Sequence, residues 1–445
     1  MSESQGKLKL FDLISIGVGS IIGAGIFSML MMGLSMTGRS IALALVFAML
    51  VVFLQNIRSL FLSSMFALEG GLYAQTALIL PPLFTGTTAI IYVVSNMSMS
   101  IFGISIAQYL SQLIPALAPY QKVLGLLIVT IAFLITLRGA GFLAKFQNVM
   151  AICMYIALAM FVVFGLMKGG TAEALETPYF AGGPLGFLMA TAIMSYACNG
   201  GTNVINLAGS AENPRRNVPL AFLLSEVICA VVYFLLGHVA GSVVPMSQAA
   251  TSTMGTVAQQ IMPGAAYIFF VVGGAIFALA TSLLGGLSAM SAPIVAGAED
   301  GWLPAVLAKR SKGGAPWATL LLMYAITVIP VAFNFSLDFI VSLILVPGAF
   351  INVAALILSF RIPKKFPKEW ANCALHCPYW VYCLLLVLSM VASLITAIFS
   401  MLSQNLTGIL GNLAMTVFLF GFSFWRLKSG KVELKSIQSV TGGKE

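Results

Sequence analysis

Hydrophobic residues along this 445-residue chain fall in long continuous runs. They show neither the alternation of a half-buried strand nor the i, i+3, i+4 stripe of a surface helix. Twelve runs stand out, at about residues 10–35, 41–66, 86–112, 124–140, 147–168, 185–208, 219–243, 264–297, 317–335, 337–359, 379–402 and 407–426. Most reach the roughly 20 apolar residues that carry a helix across a bilayer, and an open strand could not satisfy its backbone there. The pattern predicts an all-α integral membrane protein of twelve transmembrane helices with short connectors, none of them low in complexity. The first run continues from Phe11 with no convincing small-residue cleavage site, so it reads as a span and not as a removable signal peptide.

Composition sharpens this picture. Hydrophobic residues make up 60% of the chain and charged residues 8%, about a third of the roughly 25% that keeps a soluble domain in water. That excludes a cytosolic enzyme, a disordered chain and a nucleic-acid binder, despite the net charge of +9. Orientation follows from where the basic residues lie. Of the 22 lysines and arginines, all but Arg39, Lys122, Lys168 and Arg58 fall on the side of the two termini. The positive-inside rule then places both termini in the cytoplasm. The expected location is a plasma (inner) membrane, multi-pass. The six cysteines lie mostly inside apolar runs, without the spacing of a disulfide framework. Cys373, His376 and Cys377 cluster near a membrane edge, but three residues fall short of a closed structural zinc set.

Two runs carry sequence that an ordinary membrane helix does not need. The first reads Gly19-Ser20-Ile21-Ile22-Gly23-Ala24-Gly25-Ile26-Phe27, and the sixth Ser195-Tyr196-Ala197-Cys198-Asn199-Gly200-Gly201-Thr202-Asn203. Each glycine weakens a helix by up to ~1 kcal/mol relative to alanine, so either run could unwind; close packing through small residues is the competing explanation. The two interruptions lie five spans apart, so their helices run in opposite directions. This is the pattern of two inverted five-helix repeats with broken helices facing each other at the midplane. It divides the chain into 1–168 (spans 1–5), 185–359 (spans 6–10), 379–426 (spans 11 and 12) and a cytoplasmic tail at 427–445. A broken helix frees N–H groups at one half and C=O groups at the other. Together they suit a zwitterion such as the backbone of an α-amino acid.

These residues resemble the amino acid–polyamine–organocation (APC) superfamily of transporters, which has the LeuT-type fold. The Gly19–Phe27 run is similar to that family's first-helix signature. Glu69-Gly70-Gly71-Leu72-Tyr73 resembles its loop between helices 2 and 3, and Gly209–Pro219 its loop after helix 6. Glu299-Asp300-Gly301-Trp302-Leu303-Pro304, followed by Gly314-Ala315-Pro316, resembles the loop after helix 8. The four motifs occur in the family's order across the first ten spans. The resemblance implies a substrate carboxylate held on backbone amides at Gly23, Ala24 and Gly25, where relatives often have a serine in place of Ala24. It implies an amine on the carbonyls of Ile21, Tyr196 and Asn199, with Gly200 at the helix-6 break and the Tyr196 ring over the substrate. Thr202 falls where an arginine-exchanging relative has a glutamate, and Leu287 where some relatives have a tryptophan.

The pocket so drawn holds Cys198, Asn199, Thr202, Asn203 and Leu287, none of them charged at neutral pH. A cationic side chain would lack a partner there, and an unpaired charge away from water is costly. The expectation is therefore a secondary transporter for a neutral amino acid, small or polar, that works by alternating access. A cationic amino acid or polyamine antiporter is the alternative within the fold. A channel would need a repeated charged or carbonyl ring, and an enzyme a catalytic cluster; the sequence displays neither, and no cofactor is expected.

The resemblance also bears on coupling. The helix-5 lysine of many proton-coupled relatives is replaced by Met154. Thr281-Ser282 falls where sodium symporters of this fold place a hydroxyl pair, and hydroxyl and carbonyl oxygens suit a hard cation. Such residues also commonly bond their own helix, so exchange or facilitated movement without sodium is expected first. Tyr73, Arg58 and Glu226 are the gating or coupling candidates, because ionisable residues inside spans are functional by default. Arg58 and Glu226 could neutralise each other as a gating or proton-linked pair. Alternatively, Arg58 reaches for headgroups and Glu226 lines a wet crevice. Spans 11 and 12 lie outside the repeat and could serve a homodimer or a scaffold.

Overall fold

The computed structural model describes residues 8–66, 68, 71–137, 140–208, 211–311 and 315–437, without the side chains of 24, 140–148 and 288–289. Glu69, Gly70, Gly209, Ser210 and Gly314 of the loop motifs lie outside the described residues, as does the end of the tail from 438. Among the described residues the architecture is all helical, apart from one isolated parallel bridge between Leu8 and Ala211.

Among the described residues nine stretches are long and apolar enough to cross a membrane: Gly25–Gln55, Pro82–Leu113, Pro115–Leu137, Val149–Lys168, Pro214–Val243, Gly264–Glu299, Leu337–Ser359, Tyr379–Leu402 and Leu406–Lys428. Two shorter apolar helices, Leu10–Ile21 and Trp317–Phe333, join them. The difference from twelve runs has local causes. The first run is cut at Ile22–Gly23 into Leu10–Ile21 and Ala24–Thr37. Its second half passes through a short turn at Gly38–Ser40 straight into Ile41–Gln55. The sixth run stops at Cys198, leaving a 16-residue helix, Gly183–Cys198. At 1.5 Å per residue such a helix spans about 24 Å, short of a full hydrocarbon core.

Residues such as Ile131, Val163, Val227, Val231 and Val417 are exposed around the outside of the bundle. An apolar belt of this kind is what lipid-facing helices present. Inside, the broken helices form the centre. The Gly183–Cys198 helix packs on Ala24–Thr37 and Ile41–Gln55, and Leu10–Ile21 packs on Pro214–Val243. Buried hydroxyls mostly bond their own helix, as Thr136 does to the Ala132 carbonyl and Ser195 to Ala192. This satisfies a polar group with no second partner to find. The eighth run contains a π-helical segment, Phe270–Ile276, in which Gly274 passes close to Ala157 and the ring of Phe27.

Candidate functional site

Both interruptions are present, and they touch. Ile22 (φ −75°, ψ 65°) and Gly23 (φ −116°, ψ −141°) leave helical geometry. So does Asn199 (φ −91°, ψ 75°). A Cβ on Gly200 would fall 2.2 Å from the Ser20 carbonyl oxygen and 2.7 Å from the Ile21 nitrogen. A Cβ on Gly25 would fall 2.4 Å from Ala197 Cα. Glycine is needed at these positions because backbone meets backbone there.

The carbonyls released at the breaks are partly claimed by the protein. The Tyr233 hydroxyl, from the middle of the Pro214–Val243 helix, donates to Ile21 O at 2.7 Å and reaches Ala197 O at 3.1 Å. One fully buried phenol thus ties both breaks together. The Tyr196 carbonyl accepts from Asn199 N at 3.1 Å. A carbonyl has two lone pairs; Ile21 O spends its second on Gly23 N at 2.7 Å, whereas Tyr196 keeps one for a further donor. Nearby, the Tyr109 hydroxyl donates to Phe27 O at 2.9 Å and steadies the second half of helix 1.

The expected site residues separate into those at the junction and those away from it. Ile21, Gly23, Gly25, Asn199 and Gly200 meet there, and the backbone of Ala24 begins the second half-helix. Asn199 is exposed, whereas Tyr196 and Thr202 are half-buried. Cys198 is fully buried beside Cys229 and Glu226. Leu287 is 1% exposed within the main hydrophobic cluster, a packing position. Ser282 lies against the break, since a Cβ on Gly23 would fall on its Oγ. Thr281 donates to the Ala278 carbonyl at 2.9 Å, the ordinary intrahelical bond.

Tyr73 is elsewhere. Its hydroxyl donates to Asp300 Oδ2 at 2.7 Å. Asp300 is fully buried and also receives Ser436 N at 2.9 Å and Ser436 Oγ at 2.7 Å. The described part of the tail thus folds back onto the loop after helix 8. Burial first, and the neighbouring Asp300 carboxylate second, hold the Tyr73 phenol well above its ordinary pKa. The neighbouring loop motif docks likewise: Leu72 N donates to Asn206 Oδ1 at 3.2 Å, just beyond the helix-6 break.

Arg58 and Glu226 form no ion pair with each other. Arg58 is 7% exposed, its Nε and Nη1 have no hydrogen-bond partner among the described residues, and Tyr92 and Tyr382 are its electrostatic neighbours. Burial this deep does not match reaching for headgroups. Glu226 is 4% exposed, both carboxylate oxygens lack a partner among the described residues, and a Cβ on Gly201 would lie 2.8 Å from its Oε1. This carboxylate therefore stands against the helix-6 break.

Among the described residues no group of three or more His, Cys, Asp or Glu is placed to hold a metal ion. Cys373 instead contacts Ser64 Oγ at 2.6 Å, and His376 Nδ1 faces the Trp370 carbonyl at 3.1 Å. Tyr233 was missed in the sequence. A signal existed: Glu226, Cys229 and Tyr233 follow an i, i+3, i+7 stripe on one helix face.

A helical bundle with an apolar outer belt is the architecture of a multi-pass membrane protein, and comparison with known proteins agrees. The profile of the amino acid permease family matches residues 8–427, and the chain belongs to that family, within the APC superfamily. It is similar to Cationic amino acid transporter 4, vacuolar, of Arabidopsis thaliana: 27% identical over 328 residues, covering 68% of this chain and 54% of that protein. It is 26% identical over 417 residues to Cationic amino acid transporter 5 of the same plant, covering 86% and 70%. It is 25% identical over 322 residues to Methylthioribose transporter of Bacillus subtilis (strain 168), covering 68% and 69%. The chain thus spans about half the length of the first of these relatives.

Proposed function

We propose that the protein is a secondary transporter that carries a neutral amino acid, small or polar, across the plasma membrane by alternating access. In this reading the chain forms twelve spans in two inverted repeats, with both termini in the cytoplasm. The observation that carries it is the junction itself, where half-helix ends from Ile21–Gly25 and Ala197–Thr202 meet. Free N–H groups at the start of the Ala24–Thr37 helix suit a carboxylate, and the remaining lone pair of the Tyr196 carbonyl suits an ammonium. Asn199 and Thr202 supply uncharged donors and acceptors for the rest of the substrate. Movement is proposed to be independent of sodium, in keeping with the Thr281 hydroxyl serving its own helix; Ser282 beside Gly23 is where a sodium requirement would be traced.

Glu226 favours a second reading, because an unpartnered carboxylate at Gly201 could face a cationic side chain, and two of the relatives are named for cationic amino acids. Counterflow in proteoliposomes separates the two. Labelled alanine or serine exchanging equally with and without sodium, and persisting in Glu226→Gln, supports the neutral reading. Counterflow of lysine or arginine alone, lost in Glu226→Gln, replaces it with the cationic one.

A further inference from the structure

At the basic side of the molecule a crevice of about 410 Å³ opens between the second-run helices, the foot of the Pro214–Val243 helix and the start of the Tyr379–Leu402 helix. Its walls are apolar and include Phe53, Leu60, Leu220, Leu223, Leu375 and Leu385, and among the described residues Arg216 is the only charged one lining it. A second hollow, formed by Asn213, Pro214, Arg215 and Arg216, shares that arginine. Both arginines are exposed, and neither makes an ion pair among the described residues. Along the same two helices Leu223, Val227, Leu384 and Leu388 are exposed, so the crevice runs on into the lipid-facing belt.

We propose that this crevice binds an anionic phospholipid of the leaflet on the basic side, with an acyl chain between the helices and its phosphate on Arg215 and Arg216. The volume lies within the roughly 300–1,000 Å³ of small-molecule sites. The planar guanidinium fork matches phosphate oxygens, and basic pockets between membrane helices suit anionic headgroups. Free phosphate in water would gain nothing from the leucine walls. A zwitterionic lipid would fill the walls but present less net charge to the arginines. The lipid would brace the Pro214–Val243 helix at its foot, two turns and more below the Tyr233 hydroxyl that joins the two breaks. This assignment stands on the crevice alone and does not depend on which substrate is carried.

The test uses full-length protein, delipidated in detergent and titrated with phosphatidylglycerol, phosphatidylcholine or inorganic phosphate while its unfolding midpoint is followed. A ligand that binds only the folded form raises that midpoint. Phosphatidylglycerol is expected to raise it at lower concentration than phosphatidylcholine, and phosphate is expected to leave it unchanged. In Arg215→Gln/Arg216→Gln the apparent affinity for phosphatidylglycerol should fall by about fivefold per arginine. In Leu375→Trp, which fills the crevice, both lipids should lose their effect. Equal action of the two lipids on the natural protein would overturn the proposal, as would protection by phosphate alone. So would unchanged phosphatidylglycerol binding in Leu375→Trp, the variant that decides should the double substitution fail to fold.

Discussion

At Gly200 the fold allows no side chain. A methyl there would press on the Ser20 carbonyl and the Ile21 nitrogen, both backbone atoms that cannot swing away. Gly200→Ala is therefore expected to force the two breaks apart. Ligand-induced stabilisation should be lost even where the variant still inserts, as a thermal-shift titration with the transported amino acid would show. Tyr233→Phe tests the same junction from the other side. It keeps the ring and removes only the hydroxyl that serves Ile21 O and Ala197 O. Ile21 O keeps its bond from Gly23 N, but leaving the Ala197 acceptor unpaired costs about 1–3 kcal/mol, so the unfolding midpoint should fall by about 1–3 °C in a chain of this length. A midpoint equal to that of the natural protein would mean water replaces the phenol. The glycines could be read in the sequence because clustering inside an apolar run is a local signal. Tyr233 could not, because a tyrosine within a span looks like any other core aromatic until its partner carbonyls are placed.

Among the elements, the tail makes the least expected contact. Residues 427–445 read as a cytoplasmic tail, yet Ser436 and Tyr73 converge on one buried carboxylate, and Arg426 Nε donates to Gly301 O at 2.7 Å. Nothing local marks Ser436 for this role, because the contact joins positions 136 residues apart. Ser436→Ala removes one donor and leaves the backbone N–H in place. It should cost about 0.5–1.5 kcal/mol locally and be read as faster amide exchange across 431–437. The Tyr73 bond has a pH signature. Its pKa is raised by folding, so its contribution is complete below the unfolded value near 10 and is lost only as pH climbs through the higher folded value. Exchange protection of 431–437 should therefore stay level from pH 6 to 9 once corrected for intrinsic rates. A loss of protection within that window would contradict the assignment of the Tyr73 proton to Asp300. The span pattern was legible for the same reason the glycines were, since long apolar runs are local. The turn joining the first two runs and the π-helical segment were not, because each depends on how neighbouring helices crowd the backbone.

At the scale of the molecule, two ionisable groups are buried in separate surroundings without partners among the described residues. Arg58 lies by Tyr92 and Tyr382, and Glu226 lies by Gly201. An isolated charge in such a place works against the folded state, and its removal is often neutral or stabilising. Arg58→Met and Glu226→Gln should therefore each leave the unfolding midpoint unchanged or raise it. Whether the two groups act as one device is a separate question, and a double-mutant cycle answers it. Residues without contact or shared partners usually add within about 0.3–0.5 kcal/mol, whereas coupled residues deviate by about 0.5–3 kcal/mol. The present geometry predicts additivity in stability. The alternating access proposed above requires a second conformation, however, so the cycle should also be run on counterflow rates. Additive losses there would assign Arg58 and Glu226 to independent tasks. A double variant no slower than the worse single one would mean that the two charges meet during transport, in the conformation opposite to the one described.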